Sequence, residues 1–202
     1  ELKVNNKNFS AYTKFLSSSS SFSEKKIFFD KKLKNFKIPN NSKKILIIGG
    51  SSGLGKVLTE FLSKKNIDVT FTFNENYKDA RDLYRKNKHL KYFKFNENIL
   101  KNKGIRQKLK FFNYIYFFPT PKIFEMTDDY FNSDNLNKFI NIYSTFLKNI
   151  INFLSKDKKY KIYVPSSEIV SMKHNKFFDY RLGKIIQENL CQFINLKSKN
   201  IK

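Results

Sequence analysis

Lys44-Ile45-Leu46-Ile47-Ile48-Gly49-Gly50-Ser51-Ser52-Gly53-Leu54-Gly55 decides the fold. A short continuous apolar run ends abruptly in glycines, and apolar residues then recur at helical spacing (Leu54, Val57, Leu58, Phe61, Leu62). The run reads as a parallel strand buried on both faces, and the segment after the glycines reads as an amphipathic helix. Glycines at such a junction let the chain turn sharply, let a backbone approach an anion, and let the helix sit tight on the strand. The helix N-terminus then presents unpaired N–H groups and a partial positive charge. Gly49, Ser51, Ser52, Gly53, Leu54 and Gly55 are therefore the expected pyrophosphate contacts of a dinucleotide. A phosphate-loop NTPase is disfavoured, because Lys56 is followed by Val57 and not by a Ser or Thr to hold magnesium.

The same alternation continues outward. Asp68 to Phe73 is β-branched and aromatic and reads as a second strand, Tyr77 to Lys88 as a helix, and Leu90 to Phe95 as a third strand. Ile99 to Lys110 reads as a helix, and Tyr114 to Phe118 as a fourth strand stopped by Pro119 and Pro121. Asn135 to Leu154 is a long amphipathic helix, Lys161 to Val164 a fifth strand, and Tyr180 to Phe193 a final helix. Strands alternating with helices predict an α/β fold: a doubly wound parallel sheet of Rossmann type with helices on both faces. This domain is expected over residues 43–202. Residues 1–42 differ, with a serine run (Ser17 to Ser21), Lys-rich sequence and a turn signal at Pro39-Asn40-Asn41. They read as an N-terminal extension or the end of a preceding domain with its linker. The chain begins with Glu1 in place of Met, which fits a piece of a longer protein or a processed one.

Bulk properties narrow the function. The 202 residues suit one domain with a real core. Lys and Arg number 40 against 17 Asp and Glu, for a formal charge of +23. The lysines are scattered and not blocked together, so compositional bias toward Lys, Asn, Ile, Phe and Tyr accounts for the excess better than a nucleic-acid footprint. No nucleic-acid partner is expected. One cysteine, Cys191, and two histidines, His89 and His174, give no metal-ligand pattern, so no metal is expected. Cys191 reads as a small core residue, and its lack of a partner fits a reduced, cytoplasmic compartment. The first residues lack the apolar core of a signal peptide, and the longest apolar run, Tyr114 to Pro119, is too short to span a bilayer, so no membrane association is expected.

The second informative stretch is Tyr180-Arg181-Leu182-Gly183-Lys184. Tyr and Lys at i and i+4 share a helix face. A phenol titrates near 10 and is a poor acid or base at neutral pH; a nearby ammonium favours the phenolate. The tyrosine can then exchange a proton with an alcohol or carbonyl oxygen. Ser166 and Ser167 sit at the end of the fifth strand, where side chains enter the crevice beyond the carboxyl ends. A hydroxyl there can hold a substrate oxygen against the phenol, or else merely satisfy a turn.

In this order and spacing, the glycine loop, the strand-end serine and the Tyr-x-x-x-Lys helix resemble the short-chain dehydrogenase/reductase family, from about Lys43 to about Leu196. Gly49-x-x-x-Gly53-x-Gly55 matches the family's Thr-Gly-x-x-x-Gly-x-Gly, with Ile48 where the threonine stands. Ser167, Tyr180 and Lys184 match its catalytic triad, and Asn141 the asparagine that completes its tetrad. The resemblance implies that Tyr180 is the general acid/base, that Lys184 lowers its pKa and binds the nicotinamide ribose, that Ser167 positions the substrate and that Asn141 supports a proton-relay water. The expected activity is hydride transfer between a nicotinamide cofactor and a carbonyl or alcohol, with a 3-oxoacyl thioester or related small ketone as substrate. The alternative is a catalytically inactive nucleotide-binding or scaffold module with the same fold. Phe117-Phe118-Pro119-Thr120 stands where the family has Asn-Asn-Ala-Gly, which changes the floor of the cofactor site. At the end of the second strand, Phe73 and Asn74 replace the aspartate or arginine that would set NAD or NADP preference. Asn74 there and Asn96 at the end of the third strand, toward the adenine, are the expected adenosine-side contacts; Glu75 reads either as a ribose contact or as a solvated loop charge. The missing acid and the positive chain favour NADP(H) over NAD(H). Family resemblance also implies a homodimer or homotetramer through the long helix and the Tyr180 helix. Lys199 to Lys202 would only begin the family's sixth strand, so the substrate-covering part is expected to be incomplete.

Overall fold

The computed structural model describes residues 44–87, 89–121, 131–154, 159–171 and 177–197. The N-terminal extension expected over 1–42, and the start of a sixth strand, lie outside these residues.

Five strands form one wholly parallel sheet: β1 (Ile45–Ile48), β2 (Val69–Phe73), β3 (Leu90–Lys94), β4 (Tyr114–Phe117) and β5 (Lys161–Tyr163). Their spatial order is β3-β2-β1-β4-β5, so the chain reverses its direction of travel at β1 and β4. Ile45 pairs with Val69 on one side and Tyr114 on the other, and Tyr114 in turn with Lys161. The register thus brings the carboxyl ends of β1, β4 and β5 side by side, which in a doubly wound sheet is where a ligand crevice opens.

All four residues of β1 are buried, as the unbroken apolar run requires. Its alternate side chains serve two cores. Ile45 and Ile47 join Leu58, Leu62, Phe71, Ala80 and Leu83 beneath α1 (Gly53–Lys64) and α2 (Tyr77–Arg85). Leu46 and Ile48 join Leu109, Ile115, Phe117, Phe146 and Ile150 beneath α3 (Lys103–Phe111) and the long helix α4. Helix α4 runs in three continuous sections: Ser133–Ile140, a wide π-helical stretch Asn141–Phe146, and Leu147–Phe153. The last helix, α5 (Phe178–Lys197), packs on α4 and sends Leu190 and Cys191 to the second core. Each face holds the helices that the alternating pattern calls for, so the doubly wound α/β arrangement expected from the sequence is the one observed.

Two differences are local. The stretch read as one helix from Ile99 to Lys110 is a 3-10 turn, Asn98–Lys101, followed by α3. Asn102 separates them: its side chain caps α3 by accepting from the N–H groups of Gly104 and Ile105. The π-helical section of α4 has no counterpart in the even apolar spacing of the sequence.

Helix α1 is held against β1 by backbone contact. A Cβ on Gly55 would lie 2.2 Å from the carbonyl oxygen of Gly49, so no side chain fits. Gly53 has φ +51 but open space around the corresponding position. Thr59 ties the junction, donating to the carbonyls of Gly55 at 2.8 Å and Gly50 at 3.2 Å. Gly53→Ala is expected to cost about 1 kcal/mol, the strain of a left-handed alanine. Gly55→Ala, which must push backbone from backbone, is expected to cost about 3 kcal/mol. Denaturant midpoints of the two variants check this ordering; equal losses would contradict it.

Candidate active site

The glycine loop leaves β1 at Gly49, whose φ is +76 and whose N–H donates to Thr72 Oγ at 3.1 Å. Ser51 is buried; Ser52 and Gly53 are exposed, and Leu54 is half-buried at the start of α1. Ser52 takes the N-cap position with extended backbone but makes no side-chain cap bond. The first backbone bond of the helix runs from Lys56 N–H to Ser52 carbonyl at 3.0 Å. The amides of Gly53, Leu54 and Gly55 therefore lack helical acceptors and face the loop mouth. With open space where a Gly53 Cβ would stand, a pyrophosphate can approach these donors closely. The loop fits a dinucleotide on its own geometry.

Phe73 is buried and Asn74 exposed at the tip of β2. The Asn96 amide donates to Asn74 Oδ1 at 3.0 Å, and Asn96 Oδ1 accepts from Ile99 N–H at 3.1 Å. The two asparagines expected to face an adenosine are thus joined to one another.

The segment after β4 forms the floor. Phe118 N–H donates to Ile48 carbonyl at 3.0 Å, which continues the sheet ladder one step beyond β4. A Cβ on Gly49 would lie 3.2 Å from Pro119 N. Phe118-Pro119 therefore closes against the glycine loop. Thr120 then reaches across to α4, where its hydroxyl hydrogen-bonds the Tyr143 hydroxyl at 2.5 Å.

Tyr143 leads to the remaining residues. Its ring is 6.2 Å from the Tyr180 ring in an edge-on arrangement, and the Lys184 ammonium sits 4.0 Å above its centroid. This closeness depends on Gly183: a Cβ there would meet Phe139 Cβ at 2.7 Å and Tyr143 Cδ2 at 3.4 Å. Ser167 follows β5 as the N-cap of a 3-10 turn, Glu168–Val170, and its side chain lies close enough to the Tyr180 phenol to lower its pKa. Asp179, buried at the start of α5, accepts from Asn132 N–H at 3.1 Å and so fixes α5 to the start of α4.

Of the four residues expected to form a tetrad, the structure therefore brings together Ser167, Tyr180 and Lys184. Asn141 begins the π-helical section of α4 and is exposed. That section is where a wide turn loosens the backbone ladder of α4, a feature frequent at functional sites.

The electrostatics differ in one respect from a simple Tyr–Lys pair. Burial pushes the Tyr180 phenol up from its ordinary value, and hydrogen bonding from Ser167 opposes this. The ammonium acts elsewhere: Lys184 Nζ is 6.0 Å from the Tyr180 centroid and donates to Pro165 carbonyl at 2.9 Å and to Gln187 Oε1 at 2.8 Å. Lys184 is only 4% exposed. Burial lowers its pKa to about 8, against the weaker pull of Cys191 and Glu188.

Sequence reasoning missed Tyr143, Thr120 and Gln187. Tyr143 sits in the apolar stripe of α4 and reads as core. Thr120 follows a proline in a stretch with no pattern. Gln187 is one turn beyond Lys184, and that spacing was the available signal.

No protein-family model and no curated protein sequence matches this chain. Solved structures do. The FolM alternative dihydrofolate reductase 1 from Brucella suis, in complex with NADP, superposes with a TM-score of 0.65 at 12% identity, covering 79% of this chain and 69% of that one. A short-chain dehydrogenase from Streptomyces avermitilis gives 0.64 at 15% identity over 81% of this chain and 64% of its own. A short-chain dehydrogenase/reductase from Vibrio parahaemolyticus gives 0.62 at 15% identity, covering 78% and 80%. The chain has the fold of the short-chain dehydrogenase/reductases.

Proposed function

We propose that this chain is the nucleotide-binding and catalytic part of a short-chain dehydrogenase/reductase that reduces a carbonyl with NADP(H). The observation that carries the reading is the meeting of the Ser167 hydroxyl and the Tyr180 phenol beside Lys184. They are linked to the glycine loop through Pro119, Thr120 and Tyr143.

The chain's own groups divide the work. The loop amides of Gly53, Leu54 and Gly55 bind the pyrophosphate, with Gly49, Ser51 and Ser52 shaping the turn. Asn74 and Asn96 face the adenosine. A bound nicotinamide supplies or accepts the hydride. Tyr180, protonated at neutral pH as any phenol is and held further toward that form by burial, donates its proton to the carbonyl oxygen as negative charge develops there. A raised phenol suits reduction better than oxidation, since the acid form is the one required. Ser167 donates to the same oxygen and holds it against the phenol. Lys184 carries positive charge to the nicotinamide ribose, and Asn141 is the residue assigned to a water that returns the proton.

Weaker observations support the finer assignments. The amide pair Asn74–Asn96 offers no carboxylate to repel a 2′-phosphate, and the chain is strongly basic, which supports NADP(H) over NAD(H). Two of the solved structures of this fold hold NADP, and one holds NADPH. The substrate is a small ketone, with a 3-oxoacyl thioester as the class to try first. Phe178, Phe193 and Leu196 leave apolar surface exposed on α5, which supports a homodimer or homotetramer through that helix. The free Cys191 suits a cytoplasmic setting. Among the described residues no helix is long and apolar enough to cross a membrane.

A second reading is favoured by the exposed Asn141 and by a lysine tied to Pro165 and Gln187: a module that binds the nucleotide without turning over substrate.

With a panel of ketones and NADPH, Tyr180→Phe is expected to lower kcat/KM by about 100-fold or more, the usual contribution of a positioned general acid. Ser167→Ala is expected to lower it by roughly 10- to 100-fold. An unchanged rate in Tyr180→Phe removes the assignment. Because Lys184 loses its charge as pH rises through about 8, kcat/KM is expected to fall on that alkaline limb. A profile flat to pH 10 would contradict a cationic role for Lys184.

A further inference from the structure

We propose that Tyr143 is a positioning residue for Lys184: its ring face holds the buried ammonium beside Tyr180, and Thr120 fixes the ring in place. The inference deepens the reductase reading and rests on it for the role of Lys184, but not for the contact itself.

The ammonium needs such a surface. Lys184 is 4% exposed, and among the described residues no carboxylate lies within ion-pair distance of it. An ammonium has three donors. Two are met by Pro165 carbonyl, from the segment after β5, and by Gln187 Oε1, from its own helix. The face of Tyr143, from α4, lies 4.0 Å from the nitrogen, well inside the range at which an aromatic quadrupole attracts a cation. Desolvation strengthens that attraction. Among the described residues, the other titratable groups facing the ammonium are on α5: Tyr180, with its ring centroid 6.0 Å away, and Glu188 and Cys191, which act on it electrostatically. Glu188 is held by Ser166, whose hydroxyl donates to its carboxylate.

Tyr143 is itself fixed on every side. It is 1% exposed, stacks on Phe139 at 5.7 Å, meets Tyr180 edge-on and is hydrogen-bonded to Thr120. Thr120 follows Phe118-Pro119, which close on Gly49. The side chains of Thr120 and Tyr143 thereby bridge the segment beside the glycine loop to the ammonium. Removing the ring leaves the charge with two acceptors in a buried site. Removing only the hydroxyl leaves the face intact.

The test is nuclear magnetic resonance of the full chain carrying isotopically labelled lysine, with the Lys184 signals assigned from Lys184→Arg. In the unmodified protein the Lys184 ε-methylene protons are expected upfield, shifted by the ring current of Tyr143, and the group is expected to titrate near pH 8. Tyr143→Phe should keep both features. Tyr143→Leu should abolish the upfield shift and lower the titration midpoint by about one pH unit, the loss of a desolvated cation–π contact. A folded Tyr143→Leu with an unchanged midpoint overturns the proposal. So does the absence of an upfield shift in the unmodified protein, which decides the matter if Tyr143→Leu fails to fold. These readouts need no turnover: the expected shifts in a chain that reduces no ketone uphold the contact and remove only the reductase reading.

Discussion

Helix α5 can carry a phenol and an ammonium to the mouth of the sheet only because α4 lets it come close, and that approach is set at Gly183. Any Cβ there would collide with Phe139 Cβ at 2.7 Å. Without a side chain, Phe139 and Tyr143 lie directly against α5, Tyr143 reaches Lys184, and Tyr180 packs edge-on against both rings at 5.4 and 6.2 Å. Asp179 adds a second fastening where α5 begins, through the backbone of Asn132. Packing between two helices, more than any feature of the sheet, decides whether these side chains converge.

The result is a site with little charge compensation. Its cation is buried beside a carbonyl, an amide oxygen and aromatic rings, its phenol is pushed toward the protonated form, and the glycine loop offers backbone donors with no side-chain charge. Burial is the dominant influence on Tyr180 and Lys184 alike, and it acts on them in opposite directions. Both shifts move the pair toward its uncharged state, a neutral phenol and a neutral amine. A neutral phenol is the form that gives up a proton during carbonyl reduction. The same low polarity lets the aromatic face of Tyr143 stand in for a counter-ion, since a cation in an apolar site gains most from such a surface.

Much of this is legible in the residues alone, and the reason is periodicity. The unbroken run Ile45 to Ile48 can only be a strand covered on both sides, and its alternate residues do divide between two cores. Leu54, Leu58 and Leu62 share a helix face by spacing alone. The glycine loop is legible because Gly55 stands where nothing larger fits. The π-helical section of α4 is not, because Asn141 to Phe146 keep an apolar pattern that an ordinary helix would also satisfy. Tyr143 is hidden by the same pattern: a tyrosine in an apolar stripe reads as core, and its hydroxyl and ring face acquire roles only when Thr120 and Lys184 arrive from distant parts of the chain. The expectation that Lys184 acts chiefly on Tyr180 rests on i, i+4 spacing. That spacing gives proximity along the helix but does not say which neighbour the flexible lysine will prefer.

The loop after β1 must be a seat for a nicotinamide dinucleotide beside Tyr180, or the chemistry assigned to these side chains has no partner. The most direct test is titration of the full chain with NADPH and with NADH, following energy transfer from its tyrosines to the reduced nicotinamide. Saturable binding, displaced by the oxidised nucleotide and stronger for NADPH, is the predicted result. Failure of both nucleotides to bind a folded chain would contradict it.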